Sequence, residues 1–245
     1  MGYDVTFHPV SAVELQRFVF DLVDKPALAA ARAAEISKVA KKRAELIDIF
    51  GHLSEFAADA AKDRDAFGNT IAFAAAAVAG FLHPYWYARG SALTFLCIAK
   101  LAKPSEVPFM PLPRCAKGKV AKLKDGSGGF LTDNYTASGF LPPEAIAGVE
   151  ALLDRLLAKR AKKLAEVFDD DGLDAVRRAL RYAREHGLGM IEATDAIVPF
   201  SDEAVTDLDN ARAHFLDNVA YDQPGKPKKK AKAKPAAKAK KKKTR

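Results

Sequence analysis

The last 22 residues of this 245-residue chain cannot contribute to a folded core. From Pro224 to Arg245 the sequence contains eleven lysines, one arginine and no acidic residue, and otherwise only alanine, proline, glycine and threonine. Like charges at this density repel one another, and no side chain in the segment is large and apolar, so we expect it to be disordered. The part of the chain that folds is therefore confined to residues 1–223.

This C-terminal tail also reverses the sign of the net charge. The full chain carries 39 basic and 31 acidic side chains, a formal net charge of +8. Twelve of the basic side chains lie in the tail, so residues 1–223 keep 27 basic and 31 acidic ones and are mildly acidic. The basic balance of the whole chain is thus no argument for a nucleic-acid-binding body, and attraction to polyanions has to be assigned segment by segment.

The cationic side chains of the tail are the residues that we assign to nucleic-acid binding. They are Lys226, Lys228, Lys229, Lys230, Lys232, Lys234, Lys238, Lys240, Lys241, Lys242, Lys243 and Arg245. In composition the tail resembles the Lys/Ala/Pro tails of linker histones and of bacterial histone-like proteins, over these residues only and without a defined motif. The resemblance implies sequence-independent attraction to phosphate backbones, driven by counterion release and weakened by salt. The alternative is a tail that aids solubility and binds nucleic acid incidentally.

Helical patterns dominate residues 1–223, and the predicted fold class is mainly α. A short strand around Tyr3–Phe7 is followed by Ser11 and Glu14, whose spacing is that of a capping box and predicts a helix to about Val23. Pro26 suits the first turn of a second helix. Apolar periodicity predicts further helices over residues 66–82, 85–101, 143–168, 173–186 and 201–219.

The sequence from Pro104 to Pro143 differs from its surroundings, because six prolines and a glycine-rich run at 125–129 exclude long helices. We predict a small β or irregular insertion at 104–141, with short strands at 107–112, 119–123 and 130–131. The predicted organisation is a single folded domain over residues 1–223 that contains this insertion, followed by the disordered tail at 224–245.

Several functional classes find no support in the sequence. Cys97 and Cys115 lack a CxxC or CxH partner, so neither a disulfide framework nor a zinc site is predicted. No secretory signal pattern is visible, and the longest apolar run, at 71–82, is too short to span a bilayer. We therefore expect a cytoplasmic protein, or a nucleoid-associated or nuclear one, with no cofactor, no metal and no transmembrane segment.

The segment from His83 to Arg89 is the densest aromatic cluster and contains the only tryptophan. Rigid aromatic side chains beside an arginine are typical of protein interfaces. They are also typical of a core corner whose polar tips reach hydrogen-bond partners. On the first interpretation, the predicted partner-binding residues are His83, Tyr85, Trp86, Tyr87 and Arg89.

Two of the predicted helices carry basic stripes. The stripes are Arg155, Lys159, Lys162 and Lys163 on the first helix and Arg177, Arg181 and Arg184 on the second. A helix-turn-helix that contacts DNA would combine two such helices, but the turn between them contains three consecutive aspartates, which phosphates would repel. We favour the interpretation that both stripes are solvated outer faces.

No catalytic residue is assigned, because none of the five histidines has an HExxH, HxH or triad-like neighbourhood. Glu192 and Asp195 lie among apolar residues, where burial raises the pKa of a carboxylic acid and suits it to acid–base chemistry. The simpler interpretation is a helix cap or a hydrogen-bonded loop carboxylate. A pocket that brings these carboxylates near His8 or His83 would favour an enzyme.

Three functional hypotheses result. The leading one is a non-catalytic intracellular binding protein, whose helical body engages a protein partner and whose tail tethers it non-specifically to nucleic acid. The second is a bacterial immunity- or antitoxin-type protein, because residues 165–222 hold fourteen acids and five arginines and would cover a basic toxin. The third is an enzyme with a divergent site near Glu192 and Asp195.

Overall fold

A computed structural model describes residues 4–40, 75–76, 78–80, 82–123, 129–131 and 137–194. These residues are predominantly helical and include a three-stranded sheet, which confirms the mainly α class at this level. The tail at 224–245, the predicted helix at 201–219 and Asp195 lie outside the described residues. So do much of the predicted helix at 66–82 and most of the glycine-rich run.

The N-terminal part follows the capping signals of the sequence. Ser11 caps the first helix, since its side chain accepts from the Glu14 N–H at 3.1 Å and its own N–H donates to the Glu14 carboxylate at 2.8 Å. This confirms the predicted capping box. The elements are strand β1 (Asp4–Val10), helix α1 (Ala12–Leu15), a π-helical turn (Gln16–Phe20), helix α2 (Asp21–Asp24), a 3-10 turn (Pro26–Leu28) and helix α3 (Ala29–Ala40).

The central region differs from the sequence-based expectation. The predicted helix over 85–101 is wrong, because its first part forms strand β2 (Trp86–Arg89) and only the second part forms helix α4 (Leu93–Ile98). β2 pairs with β1, about 80 residues earlier in the chain, and a local periodicity pattern does not register such a contact. Residues 75–76, 78–80 and 82 are helical, as expected.

The insertion contains turns instead of the predicted strands. Helix α5 (Leu112–Cys115) and a 3-10 turn (Val120–Lys122) occupy the region, so the strand predicted at 119–123 is wrong. Neither 107–112 nor 130–131 forms a strand, although Met110 makes one isolated bridge with Phe140. Within 107–112, Pro108 and Pro111 lack N–H donors and block the regular ladder that a longer strand needs.

The C-terminal part of the described chain agrees well with the predicted pattern. Helix α6 (Pro143–Leu164) begins at a proline, which suits a first helical turn, and helix α7 (Asp170–Glu185) is capped by Asp169. The Asp169 carboxylate accepts from the Gly172 N–H at 2.7 Å. Strand β3 (Gly189–Thr194) follows and is buried along its whole length.

The three strands form an antiparallel sheet with the order β2-β1-β3, and it packs between two hydrophobic cores. Val5 and Phe7 of β1 lie in the core that includes α4, α6 and α7. Val10 and Ile191 lie in the other core, with α1, α2, Ala75, Ala76, Val78 and Ala79. Because side chains alternate across a strand, neighbouring residues of β1 face different cores.

Candidate functional site

The basic stripe of α7 is largely neutralised by carboxylates. Arg177 donates to Asp154 of α6 at 2.6 Å, and Arg184 forms a short ion pair with Glu150 of the same helix. Within α7 itself, an ion pair of 2.8 Å joins Arg178 to Asp174. Arg177 and Arg184 therefore fasten α7 to α6, whereas Arg178 pairs within α7 and Arg181 is exposed and makes no ion pair among the described residues.

The basic end of α6 is different, because most of its charges have no counter-ion. Arg155 pairs with Glu106 at 2.5 Å, and Lys163 pairs with Glu166 at 3.1 Å. In the part of the chain that the structure describes, Lys159, Arg160 and Lys162 make no ion pair, and all are exposed.

This end of α6 borders a concave surface that we call the Lys159 groove. It consists of two adjoining cavities of about 730 Å³ and 580 Å³ between α6 and the segment at 99–106. Lys100, Leu101, Lys159 and Arg160 line both cavities, so the two are continuous. The charged side chains of the groove are Lys100, Lys103, Arg155, Lys159, Arg160, Lys162 and Lys163, with Glu106 and Glu166 as the acids.

Two residues with unusual backbone conformations line this groove. Lys100 has φ of 56°, the one positive φ outside glycine in the described ranges, and Arg160 has φ −143° and ψ 35° in the interior of α6. The Lys100 and Leu101 N–H groups donate to the carbonyls of Cys97 and Leu96, at 3.1 Å and 2.8 Å. This is the Schellman pattern that ends a helix, with lysine at the left-handed position that usually holds glycine.

Neither backbone conformation is favoured by the local sequence. A left-handed conformation costs a residue with a side chain about 1–2 kcal/mol. The cation at a helix C-terminus recovers about 0.3–1 kcal/mol of this through the helix dipole. Part of the strain at Lys100 therefore remains.

Glu192 is the most deeply buried carboxylate of the described chain, and it caps α4. Its side chain accepts from the Leu93 N–H at 2.5 Å, and from the N–H and hydroxyl of Thr94 at 3.3 Å and 3.1 Å. Burial raises its pKa to about 7, although these hydrogen bonds act in the opposite direction. The sequence-based prediction of a buried, capping carboxylate at this position is confirmed.

Within the described ranges, the structure does not bring Glu192 together with a histidine. Glu192 lies opposite Phe7 in the sheet, so it shares the face of Phe7, and His8 projects from the other face. His8 is fully buried, contacts the Thr6 hydroxyl at 2.7 Å and is held neutral by burial, which lowers its pKa to about 3. His83 is engaged with Glu14 at 3.0 Å.

The predicted partner-binding segment is divided by strand β2. Tyr85 and Trp86 are buried, with 2% and 7% of their surface exposed, and Tyr85 stacks on His8 at 5.1 Å. Tyr87 is half-buried and donates to Asp4 at 2.8 Å, whereas Arg89 is exposed. Two of the five residues therefore belong to the core, and the surface of this segment consists of His83, Tyr87 and Arg89.

The groove was only partly visible in the sequence. Helical spacing predicts the stripe of Arg155, Lys159, Lys162 and Lys163, but as a solvated face. Lys100, Lys103 and Arg160 were missed because they join the stripe through a helix end and a kink that no periodicity encodes. The one available signal is the pair of Lys100 and Lys103 at the end of the helix predicted over 85–101.

Two further classes of site were sought in the described ranges. No group of three or more His, Cys, Asp or Glu side chains there is arranged to hold a metal ion. None of the helices in those ranges combines the length and the apolar character that crossing a membrane requires.

Comparison with known proteins leaves the geometry as the basis for any functional assignment. The sequence matches no family model, and searches of curated proteins and of solved structures return no similar protein.

Proposed function

We propose that this chain is a non-catalytic binding protein that its lysine-rich tail tethers to nucleic acid, while its helical body engages a protein partner. The observation that carries the proposal is the tail itself, with twelve cationic side chains and no acid in 22 residues. Each phosphate that a lysine neutralises releases condensed counterions, which favours binding to any nucleic acid sequence. Such a protein would reside in the cytoplasm, on the nucleoid or in a nucleus.

The salt dependence of DNA binding tests the tethering. In one variant of the full-length protein, all eleven tail lysines are replaced by glutamine, and the Kd for a 20-base-pair duplex is measured over a range of salt concentrations. We expect the slope of log K against log salt to fall by about 0.9 for each phosphate contact that is lost. The matched control is a tail of the same composition in scrambled order, which keeps the wild-type slope. An unchanged slope after neutralisation would refute the tethering.

The proposal that the body engages a protein partner is supported by the position of β2. It is an edge strand of the sheet, with β1 on one side and no strand on the other among the described residues. Exposed edges can accept a strand from another chain through main-chain hydrogen bonds. Tyr87 and Arg89 are the two β2 side chains that are not buried.

Affinity capture from the source cells tests this part of the proposal. The full-length protein is used with and without nuclease treatment, beside a Tyr87→Ala/Arg89→Ala variant. We expect at least one nuclease-resistant partner that the variant loses. Retention of every such partner by the variant would exclude this edge as the contact surface.

The immunity- or antitoxin-type function is supported by a separate observation. Asp169, Asp170 and Asp171 are exposed together at the start of α7, within the acidic region 165–222. An acidic ridge suits a basic toxin surface, since complementary charge accelerates association. If Asp170→Asn/Asp171→Asn abolished the capture of a basic protein that the β2 variant retains, this second function would replace the first.

A further inference from the structure

We infer that the Lys159 groove is a second nucleic-acid site, which binds the phosphodiester backbone. It lies in the folded body and does not depend on the tail. It therefore goes beyond the tethering proposed above and would stand even if the tail bound nothing.

The Lys159 groove concentrates positive charge that no acidic side chain of its lining compensates. Seven basic and two acidic side chains line the groove, and the two acids are already paired with Arg155 and Lys163. The cations without an ion pair in the described chain are Lys100, Lys103, Lys159, Arg160 and Lys162. Residues 1–223 carry more acids than bases, so this cluster is not a consequence of composition. A concave surface of one sign focuses the field and attracts anions.

The length of the groove indicates an extended ligand. Its basic wall on α6 runs from Arg155 to Lys163, which corresponds to about 12 Å of regular helix and is interrupted by the kink at Arg160. One strand of a duplex carries one charge per about 3.4 Å of axis, so about three or four consecutive phosphates match this length. A lone phosphate would engage only a fraction of the available cations.

The types of side chain in the groove indicate which part of a nucleic acid it would contact. Among the residues that the structure describes, no aromatic side chain lines either cavity, and these residues offer no platform on which bases could stack. Lysine and arginine side chains contact phosphates without reading the sequence. The groove therefore suits the backbone and predicts binding that is insensitive to sequence.

The backbone geometry of the groove is also unusual at two positions. Lys100 and Arg160 have the two unusual conformations described above, and both line both cavities. Strained backbone tends to cluster where binding requires a particular arrangement of groups. Here the two residues with unusual backbone conformations, at the helix end and at the kink, are both cations of the groove.

The test compares two double variants of the full-length protein with equal loss of charge. Lys159→Gln/Lys162→Gln removes two groove cations, whereas the control Lys122→Gln/Arg181→Gln removes two exposed cations that line neither cavity. Both are titrated with the same 20-base-pair duplex over a range of salt concentrations. We expect the slope of log K against log salt to fall by about 1.8 for the groove variant. The control should keep the wild-type slope.

Two more measurements keep the inference falsifiable. Lys159→Arg/Lys162→Arg retains the charge and should restore the wild-type slope, and a cooperative thermal transition checks that each variant folds. Equal slopes for the groove variant and its control would overturn the inference. The protein is also titrated with pyrophosphate. If pyrophosphate bound to the groove while the DNA slopes of the two variants were equal, the ligand would be a small phosphate compound, and the inference would be overturned as well. The variant with a neutralised tail tests the tethering separately, because it leaves the cations of the groove unchanged.

Discussion

Helices α6 and α7 carry basic residues in similar number, but the two sets have different surroundings. Arg177 and Arg184 of α7 reach carboxylates of α6, so their charges are neutralised within the fold. Lys159, Arg160 and Lys162 of α6 border a groove and make no ion pair among the described residues. A basic stripe is therefore a candidate binding site only when the fold leaves its charges uncompensated.

The interactions that stabilise the α6–α7 pair also differ from the charged groups that a ligand could contact. Exposed ion pairs contribute little to stability, because solvent screens them and their side chains lose entropy. Apolar side chains of α6 and α7 in the shared core contribute much more. The predictions below test this division in order of decreasing effect.

Truncation of a core residue of α6 should have the largest effect. Leu153 is fully buried in the core, and Leu153→Ala should lower the free energy of unfolding by about 2–5 kcal/mol. Chemical denaturation measures the loss. The matched control is Leu157→Ala on the same helix, where the side chain is 44% exposed and a much smaller loss is expected. Similar losses at both positions would mean that the core does not hold α6 in place.

Glu192 provides a pH-dependent test of a buried charge that is compensated only by hydrogen-bond donors. Its pKa in the folded state is about 7, above the ordinary value of 4.5, so the folded protein binds the proton more tightly than the unfolded chain does. Stability should therefore fall as the pH rises from about 4.5 to 7, by about 3 kcal/mol in total. Glu192→Gln should remove this dependence, as measured by denaturation at several pH values.

Glu14 is the matched control, because it also caps a helix but should respond in the opposite direction. Burial alone would raise the pKa of Glu14, but hydrogen bonds from His83 and Ser11 outweigh it and lower the pKa to about 2. Its contribution is fully present above pH 4.5 and should disappear as the pH falls towards 2. If Glu14→Gln and Glu192→Gln changed the pH profile in the same direction, the assignment of their environments would be wrong.

Removal of the α6–α7 ion pairs should have a small effect on stability and none on DNA binding. Arg177→Gln and Arg184→Gln should each cost about 0.2–1 kcal/mol, because both pairs are partly exposed. Denaturation and the salt slope of duplex binding are measured on the same double variant. A slope reduced as far as that of the groove variant would abolish the distinction between the two helices.

The smallest expected effect is on the stability of the groove variant. Lys159→Gln/Lys162→Gln removes two exposed cations that make no ion pair among the described residues, so the free energy of unfolding should change by less than about 0.5 kcal/mol. Thermal and denaturant unfolding measure the change. A loss of several kcal/mol would assign these lysines a structural role, and the groove would then resemble the α7 stripe.

Much of the local structure was predictable because the signals are local. The Ser11–Glu14 capping box, the proline at the start of α6 and the aspartate cap of α7 each act within one helical turn. The elements that depend on distant contacts were harder to predict. Strand β2 was assigned to a helix because its pairing with β1 is remote in sequence.

The candidate site divides in the same way. The stripe of Lys159 and Lys162 follows from helical spacing, and burial of Glu192 follows from its apolar neighbours. The pairing of Arg177 with Asp154 depends on how two helices pack, which spacing alone does not show. The positive φ of Lys100 and the kink at Arg160 are likewise products of tertiary structure.

Lysine footprinting of the full-length protein with a duplex tests the central claim most directly. Acetylation rates of Lys100, Lys159 and Lys162 are measured with and without DNA and compared with that of exposed Lys122. We predict that DNA protects the three groove lysines and leaves Lys122 unchanged. Groove lysines that react at the same rate in the presence and absence of DNA would contradict the claim that uncompensated charge marks the binding site.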